Sequence, residues 1–200
     1  MITFVLFDTE FTAWPGSQNR NWSGDNEYKE LIQIAAIKVG VSAHQPIKIL
    51  SSFNELIKPQ INPQLSPYII ELTGISQTMV DELGVDFASA LSAFHGFAEQ
   101  GQLACLSWGN DHHILLENCD YYGLTPPMFQ TCLNVQAWAI KEALPCAQYC
   151  SGDLAKQLGV SMKGHAHNAL FDVNSIARAM DVWLKSEALD YKRLMEWVNQ

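Results

Sequence analysis

Near its start the chain carries an apolar stretch interrupted by two acids, Thr3–Phe11 (TFVLFDTEF). The residues are β-branched and aromatic, which favours a strand. On a strand, Asp8 and Glu10 stand two positions apart and leave the same face, while Phe7, Thr9 and Phe11 take the other. Two carboxylates about 7 Å apart on a buried strand repel each other. Either the strand end reaches solvent, where the pair costs little, or a divalent cation offsets the repulsion.

The rest of the pattern alternates strands with helices. Glu30–Val39 and Ile47–Ile57 are two more strand candidates, separated by a turn over Gly40–Pro46, and the first three strands can form an antiparallel meander. Between the first two lies Ala13–Glu27, a polar loop of 15 residues with Pro15, Gly16 and Gly24, long enough to suggest function. After the irregular Lys58–Pro67 come short helices over Ser66–Leu72 and from an N-cap at Ser76. An amphipathic helix is expected over Asp86–Gln100, a short buried strand over Leu103–Trp108, and a helix over Asp111–Tyr122 ended by Gly123. A strand at Met128–Asn134, helices at Val135–Leu144 and Ser151–Leu158, a loop at Gly164–Asn168 and a long helix at Asn168–Lys185 complete the reading. That order predicts an α/β layer with a mixed sheet.

With 200 residues, 48% hydrophobic and 16% charged, the chain is too apolar to be disordered and is expected to form one domain over residues 1–200. No segment approaches the ~18–20 apolar residues of a membrane span, and Met1–Phe7 lacks the basic flank of an export signal. Five cysteines without a CxxC pair indicate reduced thiols and a cytoplasmic setting. The net charge of −9 argues against broad binding of nucleic acid through a basic surface, but not against an enzyme that engages it through metal ions.

Two further segments carry candidate chemistry. Asp111 follows Trp108-Gly109-Asn110 at the carboxyl end of a strand, where open α/β sheets bind ligands, although taken alone it is better explained as an N-cap or first-turn acid favoured by the helix dipole. His167 lies at the entry of the last long helix and Asp172 in its first turns, with the small Ala169 between them to permit close approach to the sheet. Alone, each has an ordinary structural explanation. Together they supply four carboxylates and one imidazole. All-oxygen ligation suits Mg²⁺ or Mn²⁺, and a pair of such ions about 3.5–4 Å apart is a device for in-line phosphoryl chemistry. A His titrating near neutrality can accept a water proton.

In these motifs the sequence resembles the DEDDh 3′→5′ exonucleases, which have a ribonuclease-H-like fold. Asp8-Thr9-Glu10 matches the first motif, Asp111 the second, and His167 with Asp172 the third, HxAxxD. The stretch from Ile61-Asn62-Pro63-Gln64-Leu65-Ser66 through Leu72-Thr73-Gly74-Ile75 to Val80-Asp81 is similar to the histone-mRNA 3′-end and RNA-interference-enhancer branch and its bacterial KinA-pathway-inhibitor-type relatives. The resemblance implies a single exonuclease domain, a mixed β-sheet flanked by helices, and two divalent ions, Mg²⁺ or Mn²⁺. Asp8 would bridge both ions, Glu10 and Asp172 would complete one site, Asp111 would serve the other, and His167 would be the general base. Phe11 and Thr12 would contact the terminal nucleotide, and Trp14, Leu72 or Ile75 would pack its base. The implied substrate is a single-stranded 3′ end, RNA rather than DNA, and the product a nucleoside monophosphate; no membrane is involved.

Three other readings compete. A zinc site could draw on His165, His167 and Asp172 with Cys146 and Cys150, but it leaves Asp8, Glu10 and Asp111 unused. A proofreading-type exonuclease would act on DNA. A catalytically weak exonuclease-fold module would only bind. Trp14 and Trp22 either contact substrate or pin the loop they occupy; Trp138, Trp183 and Trp197 are expected to pack; His112, His113 and His165 receive no role.

Overall fold

The computed structural model describes residues 1–43 and 45–200; the expected turn over Gly40–Pro46 lies partly outside them. Five strands form one sheet in the order β3-β2-β1-β4-β5. β1 (Ile2–Phe11) is central, antiparallel to β2 (Leu31–Val41) and parallel to β4 (Cys105–Ser107). β3 (Lys48–Leu56) pairs antiparallel with β2, and β5 (Cys132–Asn134) parallel with β4. The mixed sheet expected from the sequence is therefore present. β1 and β2 are buried on both faces, which explains their nearly unbroken apolar runs. The edge strand β3 is mostly exposed and keeps Lys48, Ser51, Ser52 and Glu55 toward solvent.

The eight helices are α1 (Pro67–Thr73), α2 (Gln77–Leu83), α3 (Phe87–Phe97), α4 (Asp111–Tyr122), α5 (Val135–Lys141), α6 (Leu154–Gln157), α7 (Ala169–Lys185) and α8 (Tyr191–Val198). The alternation along β1 decides what each face meets. Phe4 and Leu6 pack with Val173, Ile176, Met180 and Trp183 of α7. Val5 and Phe7 pack with Phe87, Leu91 and Phe94 of α3 and Leu115 of α4. Each such side chain contributes roughly 1.5–3 kcal/mol when fully buried. By the same parity, Asp8 and Glu10 continue the α7 side.

Caps locate the helices closely. Ser66, Ser76, Asp86, Asn168 and Asp190 each accept a hydrogen bond from the third residue onward. Gly123 ends α4 in the left-handed conformation, as expected. Several expected elements are shorter. α3 stops at Phe97 because the chain turns through left-handed Glu99, Gln100 and Gly101. The strand expected over Met128–Asn134 contracts to Cys132–Asn134, and the helix expected over Ser151–Leu158 begins as a 3-10 turn at Ser151–Asp153. α8 lies beyond the last expected element. Its Trp197 stacks on Trp138 with ring centroids 4.2 Å apart, and Trp183 is fully buried, so these three tryptophans do pack. Among the described residues, no helix is long and apolar enough to cross a membrane.

Candidate active site

The site is built where β1 meets the start of α7. Glu10 pairs in register with Gln33 on β2. The buried Gln33 side chain holds α7 in place: its Oε1 accepts from the Ala169 backbone N–H at 3.0 Å, and its Nε2 donates to Asn54 Oδ1 at 2.8 Å. Ala169 is fully buried, so its small side chain permits this approach. Asp172, one turn into α7, then projects toward Asp8 and Glu10. One carboxylate oxygen from each of the three lies within 4.8 Å of the others.

Asp172 is also fixed from a direction the sequence did not advertise. Its Oδ2 accepts from the Ser151 hydroxyl at 3.0 Å. A Cβ on Gly152 would fall 2.6 Å from Asp172 Oδ1 and 2.5 Å from the Ala166 Cβ, so only glycine lets this turn come so close. Asp111 sits on the other side of β1, at the start of α4. Its Oδ1 accepts from the Thr9 backbone N–H at 3.1 Å and the Thr9 hydroxyl at 2.6 Å. Thr9 thus orients the fourth acid from between the first two. Ser151, Gly152, Thr9 and Gln33 were not singled out from sequence. Only Thr9, enclosed by the two acids, carried a local signal.

All four carboxyls are buried and held above their ordinary range. Burial is the leading cause for each. Asp8 is raised well up by burial and then by Asp111, Asp172 and Glu10. Glu10 is raised to about 8 by burial, then by Asp172 and Asp111. Asp111 is raised to about 6 by burial, against the opposing hydrogen bonds from Thr9. Asp172 is raised to about 6 by burial, with Ser151 and the His167 backbone amide opposing. Asp172 Oδ1 is buried without a hydrogen-bond partner. An orphaned carboxylate oxygen beside two more acids fits a hard divalent cation, which takes oxygen ligands and removes the repulsion. No Cys or His joins this group, which leaves the zinc alternative without a centre among the described residues.

His167 is exposed, with a left-handed backbone (φ 64°) that histidine adopts more readily than most residues. Partial burial holds its pKa below the ordinary value, with Asp153 opposing and His165 reinforcing the shift. His165 is exposed, its Nδ1 2.8 Å from the Ala166 carbonyl oxygen. His112 is half buried and stands edge-on to Phe129, while His113 is exposed.

The substrate-contact candidates divide. Phe11, Trp14 and Leu72 are half-buried and present part of their surface. Ile75 is 1% exposed within the cluster formed with Ile32, Ile69 and Val80, so the base-packing role suggested for it does not match its position. Thr12 is likewise buried and committed: its hydroxyl donates to the Tyr28 carbonyl and accepts from the Glu30 N–H, and its own N–H bonds the Glu30 carbonyl. Trp22 pins the loop, with its ring 5.4 Å from Phe11 and its indole N–H donating to the Thr12 carbonyl. An Arg20–Glu27 ion pair closes the same loop. Glu30 holds a further junction. It is fully buried and accepts from the backbone N–H groups of Gln60, Ile61 and Asn62 and from the Tyr122 hydroxyl.

The chain is similar to known exonucleases in sequence and fold. An exonuclease family model, RNase T, matches residues 5–180. The protein "ERI1 exoribonuclease 2" of Homo sapiens is 34% identical, the match covering 86% of this chain and 27% of that protein. The "3′-5′ exonuclease Snipper" of Drosophila melanogaster is 26% identical, over 92% of this chain and 70% of that one. The chain therefore spans about a quarter of the first relative and most of the second. Among solved structures, the nuclease domain of 3′hExo, described as a DEDDh family member bound to rAMP, superposes with a TM-score of 0.74 at 23% identity and 93% coverage of both chains. E. coli exonuclease I with a dA16 oligonucleotide gives a TM-score of 0.66 at 15% identity, over 98% of this chain and 43% of that one. These solved structures share the ribonuclease-H-like sheet and its helices. With its family match running from the first acidic strand into the helix that bears Asp172, the chain belongs to the RNase T exonucleases, in their DEDDh 3′→5′ class.

Proposed function

We propose that this protein is a metal-dependent 3′→5′ exonuclease that removes nucleoside monophosphates from single-stranded nucleic acid, with RNA preferred to DNA. The observation that carries the reading is the buried group of Asp8, Glu10 and Asp172, with an orphaned oxygen on Asp172 and with Asp111 oriented beside it by Thr9. Two Mg²⁺ or Mn²⁺ ions held by these four acids would neutralise them and supply Lewis acidity toward the phosphoryl oxygens.

The chain's own groups do the rest. Asp8, whose carboxyl feels Asp111, Asp172 and Glu10 alike, would serve both ions, with Glu10 and Asp172 holding one and Asp111 the other. The His167 backbone amide bonds Asp172, and its imidazole, whose pKa is held below the ordinary value, would take a proton from the attacking water. Gln33 and Ser151 keep Asp172 in position. Phe11, Trp14 and Leu72 offer apolar surface to a terminal base without reading its identity. Five free cysteines fit a reducing, cytoplasmic setting.

RNA is favoured because the ERI1-named relatives are exoribonucleases. The exonuclease I structures, which hold DNA oligonucleotides, keep a DNA-directed reading as the second choice. The test uses 5′-labelled RNA and DNA of one sequence with Mg²⁺, Mn²⁺ or EDTA. The expected result is a metal-dependent ladder shortening from the 3′ end, faster on RNA. A folded protein that degrades neither strand would overturn the enzyme reading in favour of a binding module.

A further inference from the structure

A groove of about 900 Å³ runs along the outer face of α7, walled on its far side by residues 160–165. Phe171, Asn174, Arg178 and Lys185 follow one another along the helix at the three-, four- and seven-residue spacings that place them on one stripe. Lys163 faces them from the opposite wall. In a chain of net charge −9, this groove holds three cations. Its one carboxylate, Asp181, is already engaged, accepting from the Ile47 N–H at 2.9 Å and from Lys185 Nζ at 2.5 Å. Lys163 and Arg178 are exposed and enter no ion pair among the described residues.

The groove's near end adjoins the start of α7. At its near end lie His165 and Asn168, on either side of His167 in sequence, and Asn168 caps the helix whose first turn bears Asp172. Gly164, at φ 122°, lies directly on the Phe171 ring: a Cβ there would fall 2.6 Å from Phe171 Cδ2. That contact closes the corner between loop and helix. A concave surface with a net positive charge concentrates its field on a passing anion.

We propose that this groove carries the strand upstream of the 3′ end, with Lys163 and Arg178 contacting its phosphates and Lys185, paired with Asp181, lying at the far end. The proposal rests on the 3′-exonuclease reading above. From Phe171 to Lys185 the helix axis covers about 21 Å, the length of about six stacked nucleotides at roughly 3.4 Å each. A dinucleotide entering at the Phe171 end would not extend to Arg178 and Lys185, seven and fourteen residues further along the helix, whereas a twelve-nucleotide strand would.

The test compares the wild type with the K163E/R178E double variant on a dinucleotide and on a twelve-nucleotide single strand. The readout is the ratio of kcat/KM on the long substrate to that on the short one. This ratio should fall about tenfold or more in the variant, and the salt dependence of log K on the long strand should flatten by about 1.4 for two lost phosphate contacts. An unchanged ratio with an unchanged salt slope overturns the proposal. If the wild type cleaves neither substrate, the exonuclease reading fails by itself. Fluorescence anisotropy of the labelled twelve-nucleotide strand then still tests the groove: weaker binding by the double variant sustains it, and equal binding overturns it.

Discussion

Replacing Asp172 by Asn should make the metal-free protein more stable, although it removes a residue central to the site. Asp172 is 4% exposed, and its carboxyl is raised from 3.8 to about 6. A carboxyl whose pKa is higher folded than unfolded binds its proton more tightly in the fold, so its ionisation lowers stability as pH rises from about 4 through about 6. The rise to about 6 corresponds to about 3 kcal/mol at pH 8, falling to about half of that at pH 5, where the folded carboxyl is mostly protonated. Asn keeps the shape and still offers an oxygen to Ser151. Its NH₂ can take the place of the unpartnered, buried Oδ1. For a chain of this length 1 kcal/mol is worth about 2–4 °C. D172N should therefore melt about 6–12 °C above the wild type in EDTA at pH 8, and about half as far above it at pH 5. Thermal unfolding followed by circular dichroism measures both. A variant less stable than wild type at pH 8 in EDTA would refute the claim that the Asp172 carboxylate is buried at a cost to the metal-free fold.

Other outcomes follow from neighbouring contacts. H167A should lower the 3′-trimming rate by about 10²–10⁴-fold while leaving the Mn²⁺-induced rise in melting temperature intact; loss of that rise would make His167 a ligand. G152A should cost about 1–3 kcal/mol in urea denaturation, because its methyl would overlap Ala166 and Asp172; a neutral result would mean the turn can move freely. E30Q places an NH₂ among donors from Gln60, Ile61, Asn62 and Tyr122 and should cost about 3 kcal/mol or more. The same denaturation measurement checks it, and a cost under about 1 kcal/mol would show the junction to be slack.

The architecture was largely legible because β1 and β2 are buried on both faces and leave long apolar runs, while Ser66, Ser76, Asp86 and Gly123 punctuate the helices. The four acids were legible because Asp8 and Glu10 share a parity that the fold preserves. What the sequence hid were contacts between distant segments. Ser151 and Gly152 meet Asp172 only after α6 docks on α7, and Gln33 reaches Ala169 across more than half the chain. Ile75 belongs to an apolar turn that looks ready to touch a base, but its side chain turns inward to Ile32 and Val80. Trp22 and Trp14 share one loop and one residue type, and only packing shows that Trp22 grips Phe11. The groove along α7 escaped notice because Lys163 and Arg178 become neighbours only through the loop that folds back over Phe171.

The most direct test of the central claim is anomalous X-ray scattering from crystals soaked in Mn²⁺. The account predicts a strong peak within about 2.0–2.6 Å of oxygens from Asp8, Glu10 and Asp172, with a second peak toward Asp111 when a mononucleotide is also bound. Absence of any peak at these acids, with manganese bound instead by His165 and the loop cysteines, would contradict it.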